Sequence, residues 1–230
     1  MAQLLQMPER GDFDMSGGGA TTGSFVHKLF ECGVQSGFNS KQKFVEHALK
    51  MIKDPAWNGV DIDDVNSLID VFWERNKDKY DDKSKTEVKL SFEIDGFRFY
   101  GIADRIDVLA DGSVEIIDYK TNKNTISLKK RSWQLGFYAI GLQKMGFKVS
   151  RLTLDMLRLE KPVEMNVGDD GNVTNNGRGS GFNLEDVKSE LIEAAKSIAH
   201  DYEHEFDVTG DDNNCRFCGY KFYCPKFDED

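Results

Sequence analysis

Apolar and polar residues alternate by two in one half of the chain and repeat at helical spacing in the other. "SFVHKLFEC" (24–32) reads as a short helix opened by Ser24 as N-cap, after a Gly-rich lead-in, "MSGGGATTG" (15–23), that reads as flexible. "KQKFVEHALKMI" (41–52) has a second helical pattern. "DIDDVNSLIDVFWERNKDKY" (61–80) has a third, with Val65, Leu68, Ile69, Phe72 and Trp73 on one face. Beyond Lys85 the period becomes two. "EVKLSFEI", "FRFYGIADRIDVL" and "SVEIIDYKT" predict a three-stranded antiparallel meander turned at Asp95-Gly96 and Asp111-Gly112. "SWQLGFYAIGLQKMG" predicts a helix ending at Gly146, and "KVSRLTLDMLRL" a further strand. "VGDDGNVTNNGRGSG" has no period and reads as a mobile loop or hairpin tip, and "NLEDVKSELIEAAKSIAHDYEHEF" as a long amphipathic helix. Helices, a meander, a helix and another strand imply one central mixed sheet flanked by helices.

The length, 230 residues, suits a single domain. It divides into a helical part (1–85), a sheet and helix (86–166), and a C-terminal helix with a cysteine cluster (183–230). No apolar run approaches the ~20 residues of a membrane helix. The N-terminus shows neither the basic start nor the apolar stretch of a signal peptide, which points to an intracellular, cytoplasmic protein with reduced thiols. The net charge of −10 argues against a protein that coats DNA broadly. It leaves room for a local basic groove, and "KTNKNTISLKKR" gathers Lys120, Lys123, Lys129, Lys130 and Arg131. A solvated loop and helix start would look the same.

The meander carries the candidate chemistry. Asp104, near the end of the second strand, lies seven residues before Asp111 and Asp118 six after Gly112, so the antiparallel register brings the two carboxylates almost level. Lys120, two residues beyond Asp118, projects to the same side. Two carboxylates at one place repel unless a cation sits between them, and hard oxygen donors favour Mg²⁺ or Mn²⁺. A divalent ion beside an ammonium suits hydrolysis of a phosphodiester. Surface ion pairs, Asp104 with Arg105 or Asp118 with Lys120, explain the same residues without any chemistry. Asp107 reads as a cap or as a partner of Arg105 rather than as a ligand.

Further along, Cys215, Cys218 and Cys224 form a C-x2-C-x5-C run. In a reducing compartment such spacing indicates metal binding over a disulfide. For zinc, Cys32, His200 or His204 could supply a fourth ligand; three buried, unliganded thiols are the other reading.

In order, the chain shows G-x-x-x-H (Gly23, His27), G-x-x-D-R-x-D (Asp104), I-x-D-Y-K-T (Asp118, Lys120) and Q-x-x-x-Y (Gln134, Tyr138). Together with the terminal cysteines, this order resembles the RecB-type nucleases of the PD-(D/E)xK superfamily. It is most similar to the small iron-sulfur exonucleases associated with CRISPR systems and to their viral relatives. The resemblance implies an α/β restriction-endonuclease-like core with a Cys-rich C-terminal metal-binding segment. It implies His27, Asp104, Asp118 and the Tyr119 carbonyl as ligands of Mg²⁺ or Mn²⁺, and Lys120 as the catalytic lysine. Gln134 and Tyr138 would line the DNA path or support the site, and Lys129, Lys130 and Arg131 would add to that path. A [4Fe-4S] cluster would take Cys215, Cys218, Cys224 and a fourth thiolate, for which Cys32 is the candidate. Cys32 lies outside the expected Cys-Pro context and, five helical steps from His27, points about 140° away from it.

The activity implied is metal-dependent DNA hydrolysis, exonucleolytic, on single strands or ends, with a helicase, recombination or CRISPR-adaptation protein as partner. A structure-specific endonuclease and a non-catalytic DNA-end-binding adaptor are the alternatives. A redox protein built on the cluster leaves the hairpin carboxylates unexplained.

Overall fold

The structure is a computed structural model that describes residues 18–122, 128–175 and 181–203. Among these residues five helices and seven strands follow in the order α1 (Gly18–Gln35), α2 (Lys41–Met51), α3 (Ile62–Asn76), β1 (Lys85–Ile94), β2 (Phe97–Val108), β3 (Val114–Lys120), α4 (Leu128–Lys144), β4 (Val149–Met156), β5 (Val163–Val167), β6 (Asn172–Asn175), β7 (Phe182–Asn183) and α5 (Leu184–Glu203). A short 3₁₀ turn, Pro55–Trp57, joins α2 to α3. The strands form one sheet in chain order, antiparallel everywhere except for β3 with β4, which α4 connects as a parallel crossover. The residues from Ser16 to Ile192 form one compact unit. Met1–Met15 and Glu193–Asp230 belong to a second, of which the end of α5 is described.

Within the first unit each face of the sheet has its own core. On one face α4 and the start of α5 cover Leu90, Phe92, Ile116, Leu152 and Leu154. On the other, α1, α2 and α3 pack Phe25, Leu29, Phe30, Phe44 and Phe72 against Ile117 and Tyr119. Neighbouring residues of β3 thus serve opposite cores: Ile116 faces α4, and Ile117 faces α1. β3 is buried on both faces from Val114 to Tyr119, although Glu115 and Asp118 interrupt its apolar residues.

Local signals account for most boundaries. The Asp61 side chain accepts hydrogen bonds from the backbone N–H groups of Asp63 and Asp64, capping α3. Asp95 and Gly96 both take positive φ, 52° and 79°, as a two-residue hairpin turn demands.

Two expectations change and one narrows to the hairpin tip among its alternatives. Ser24 does not cap α1, because the helix begins at Gly18 and takes in Gly18–Gly23 of the Gly-rich stretch; Met15–Gly17 lie outside the described residues. "VGDDGNVTN" is an ordered hairpin of β5 and β6 turned at Gly168–Gly171, while 176–180 lie outside the described residues. Asp104 sits inside β2, not near its end.

Candidate active site

β2 loses its phase at Asp104. Ala103 belongs to the core under α4, whereas Arg105 reaches Asn76 of α3 and Tyr119 on the opposite side. Two residues of equal parity share a face in a regular strand; here they do not. Across the ladder Glu87 of β1 lies between the pairs Thr86↔Arg105 and Val88↔Ala103 and has φ of 49°, a left-handed value unusual for a side-chain-bearing residue. The β2–β3 ladder stops at Arg105↔Ile117, one step before Asp104 and Asp118 would pair. The next N–H of β3, that of Tyr119, is taken at 2.9 Å by the Asp104 carboxylate instead of by a main-chain carbonyl. The strands part at this point, and the site forms in the opening.

Two sets of side chains meet there. From α1, His27 Nδ1 lies 3.5 Å from Asp104 Oδ2, and the His27 ring stands edge-on to Tyr119. Gly23, one turn earlier, lets α1 come this close: a Cβ there would meet Thr121 Oγ1 at 3.1 Å. From β3, Lys120 Nζ donates to Asp118 Oδ1 at 2.9 Å and to Gln134 Oε1 at 3.1 Å; Gln134 Nε2 donates to the Tyr138 hydroxyl at 2.8 Å. The ammonium also lies 2.7 Å from Asp118 Oδ2, but that buried oxygen receives no aligned hydrogen bond. Arg158 secures the end of β3 by donating to the Thr121 carbonyl at 2.7 Å while forking onto Asp64 of α3.

Electrostatics match the geometry. Burial, then the charge of Asp104, pushes the Asp118 carboxyl up to about 6, against the opposing pull of Lys120. Burial works against a charged His27, yet the hydrogen bond and charge of Asp104 outweigh it and raise the imidazole above its ordinary value. Beneath the site Arg105, fully buried, forks onto Asp107 and donates to Asn76 Oδ1 and the Tyr119 hydroxyl, with the Tyr80 ring 5.3 Å from its guanidinium. Arg105 therefore pairs with Asp107, and Asp104 is left for the site.

Glu87 is the residue that strand alternation gave no reason to single out. With His27, Gly23, Ser24, Lys28, Glu31 and Trp57 it lines a cleft of about 610 Å³ beside Asp104. Burial and the charges of Asp104 and Glu31 raise its carboxyl. Glu115 instead binds Thr153 and Arg151, and Glu93 lies exposed opposite Arg98. Lys129, Lys130 and Arg131 fall in the first turn of α4. Cys32 is half-buried on α1 and unbridged. Lys123, His204, Cys215, Cys218 and Cys224 lie outside the described residues.

Among the described residues no three His, Cys, Asp or Glu side chains close on one point as a ready metal cage. The donor chemistry nonetheless fits a hard divalent ion: one imidazole and two carboxylates, with a buried Asp118 oxygen that faces the Lys120 ammonium at 2.7 Å without an aligned hydrogen bond. His27, Asp104 and Asp118 are the residues that would hold it. The ion would supply charge to a phosphate and acidity to a bound water.

A sheet with one parallel crossover, carrying Asp-x-Lys at the end of a central strand and an acid on the neighbouring strand, defines a class of phosphodiester-cleaving folds. The model of the PD-(D/E)XK nuclease superfamily matches residues 1–225, and the chain belongs to that superfamily. Its members are metal-dependent nucleases that generally use ions such as Mg²⁺. No curated protein matches. Among solved structures, the crystal structure of SSO0001 aligns over 87% of this chain and 84% of that chain, with 16% identity and a TM-score of 0.37. No helix among the described residues is long and apolar enough to cross a membrane.

Proposed function

We propose that the protein is a RecB-like, Mg²⁺- or Mn²⁺-dependent exodeoxyribonuclease acting on single-stranded DNA or DNA ends. The observation that carries this reading is the placement of Lys120. Its ammonium is held between Asp118 and Gln134 on the α4 side, beside a buried carboxylate oxygen with nothing aligned on it. An ammonium so fixed is ready to orient a water or to meet charge that develops on a phosphate. In this reading Gln134 and Tyr138 keep the lysine in place, and Lys129, Lys130 and Arg131 add positive charge to the path of the incoming strand. The C-terminal cysteines, with Cys32, hold a [4Fe-4S] cluster with a structural role, as in the small CRISPR-associated exonucleases. A helicase, recombination or CRISPR-adaptation protein is the expected partner, in the cytoplasm of a cell or of a virus-infected host.

The test compares wild type with Lys120→Ala on end-labelled linear and on closed circular single-stranded DNA, with Mn²⁺ or with EDTA. The expected outcome is metal-dependent loss of the linear strand, a spared circle, and a rate lowered about 10²–10³-fold in the variant. Cutting of the circle would turn the assignment to an endonuclease. DNA binding without any cutting would turn it to an end-binding adaptor. Iron and sulfide analysis of the purified protein checks the cluster, and zinc without iron would overturn it.

A further inference from the structure

The β1–β2 hairpin presents two different faces. Leu90, Phe92 and Ile94 of β1, with Phe99 and Ala103 of β2, pack under α4. The residues between them point the other way and are exposed: Lys89 and Ser91 on β1, Arg98, Tyr100 and Ile102 on β2. Tyr100 is 69% exposed and Ile102 46%, in adjacent positions of one row, with Lys89 opposite Ile102 and Ser91 opposite Tyr100.

We infer that this face is a track for single-stranded nucleic acid, on which a base stacks on Tyr100 while Lys89 and Arg98 hold the flanking phosphates. The inference rests on the nuclease reading and extends it from the site to the route by which substrate reaches it.

Continuity is the first argument. Along β2 the row on this face runs from the exposed Tyr100 and Ile102 to the largely buried Asp104, with a spacing of about 7 Å, so it leads directly to a carboxylate of the site. Along β1 the corresponding step is from Lys89 to Glu87, which already lines the cleft with His27. Trp57, which lines the same cleft, offers a second aromatic wall.

Chemistry is the second argument. In a chain of net charge −10 this face carries Lys89 and Arg98 beside an open aromatic ring; of its acids, Glu93 lies opposite Arg98 towards the hairpin turn, and Glu87 and Asp104 lie at the other end, where the site begins. Arg98 lies beside the Tyr100 side chain, most of whose surface stays in solvent. Stacking of a base on such a ring tolerates any sequence, and the cations take the backbone. Bases already stacked and paired in a duplex have no free face to offer, so the occupant is a single strand.

The experiment measures fluorescence anisotropy of fluorescein-labelled oligothymidylate with the full chain in EDTA at low salt. Tyr100→Ala, Tyr100→Phe and Phe147→Ala are compared with wild type; Phe147 is exposed elsewhere and serves as control. Melting curves confirm that the variants fold. The expected result is affinity lowered about tenfold or more by Tyr100→Ala, near wild-type affinity for Tyr100→Phe and Phe147→Ala, and no effect of Tyr100→Ala on duplex binding. Oligouridylate in a parallel titration decides whether DNA or RNA is the better occupant. Wild-type affinity in Tyr100→Ala overturns the track, even if wild type cuts DNA and Lys120→Ala does not. Tyr100-dependent binding by a wild type that cuts nothing sustains the track and overturns the nuclease reading instead.

Discussion

Asp118 is a carboxylate held where its charge is costly, and this gives the protein a pH signature. Its folded carboxyl titrates at about 6, above the ordinary value of 3.8, so the folded chain binds more protons than the unfolded one between those limits. Stability therefore falls as pH rises through that window. His27, also raised, adds a loss of the same sign above its ordinary 6.5. Melting of EDTA-treated protein is expected at a lower temperature at pH 8 than at pH 5. Asp118→Asn should flatten the part of this slope below about pH 6. Added Mn²⁺ should raise the melting temperature more at pH 8 than at pH 5, because it meets an ionised site. A melting temperature that climbs with pH in EDTA would contradict this account of both groups.

Among the elements, α1 and β2 decide whether the site exists. Gly23 brings α1 against the end of β3, with room for a Cβ only if Thr121 yields. Gly23→Ala gains roughly 1 kcal/mol of helix propensity and loses a comparable amount to crowding. Its stability should be nearly unchanged in a urea titration, while cleavage falls as His27 moves off Asp104. Unchanged cleavage would mean that this close approach does not place the histidine. β2 depends on Arg105, whose buried guanidinium joins Asp107, Asn76 and Tyr119. Arg105→Met leaves Asp107 buried without its cation and should cost about 3–5 kcal/mol, read from the shift in urea midpoint. Arg105→Met combined with Asp107→Leu should recover part of that loss, since the pair then disappears together.

For the whole molecule the governing number is the net charge of −10. Nucleic acid approaches against a repulsive background, so affinity rests on few cations and on stacking. Affinity for single-stranded DNA is expected to fall steeply between 50 and 200 mM salt, with a log–log slope equal to about 0.7 of the phosphate contacts made. Lys89→Ala should lower that slope by about 0.7, whereas Tyr100→Ala should lower affinity and leave the slope in place. A slope unaffected by Lys89→Ala would remove that lysine from the nucleic-acid contacts.

Much of this architecture was already legible in local pattern. Helical spacing in "VNSLIDVFW" placed α3, alternation and two Asp-Gly turns placed the β1–β2–β3 meander, and pairing with Arg105 was one of the two roles read for Asp107. These features depend on backbone preferences within a few residues, which is what periodicity records. The Gly-rich stretch misled because packing of α1 on the sheet outweighs the poor helix propensity of glycine. "DDGN" read as a loop or a hairpin tip, and the structure makes it the tip of the β5–β6 hairpin; composition does not name the partner strand. The break of phase at Asp104, the left-handed Glu87 opposite it and the capture of the Tyr119 N–H by a side chain left no trace in the sequence. Each depends on which strand lies alongside and where the ladder stops. The chain by itself determined which residues are available to the chemistry; only the packing of α1, β1 and β3 around one bend in β2 decided which of them meet.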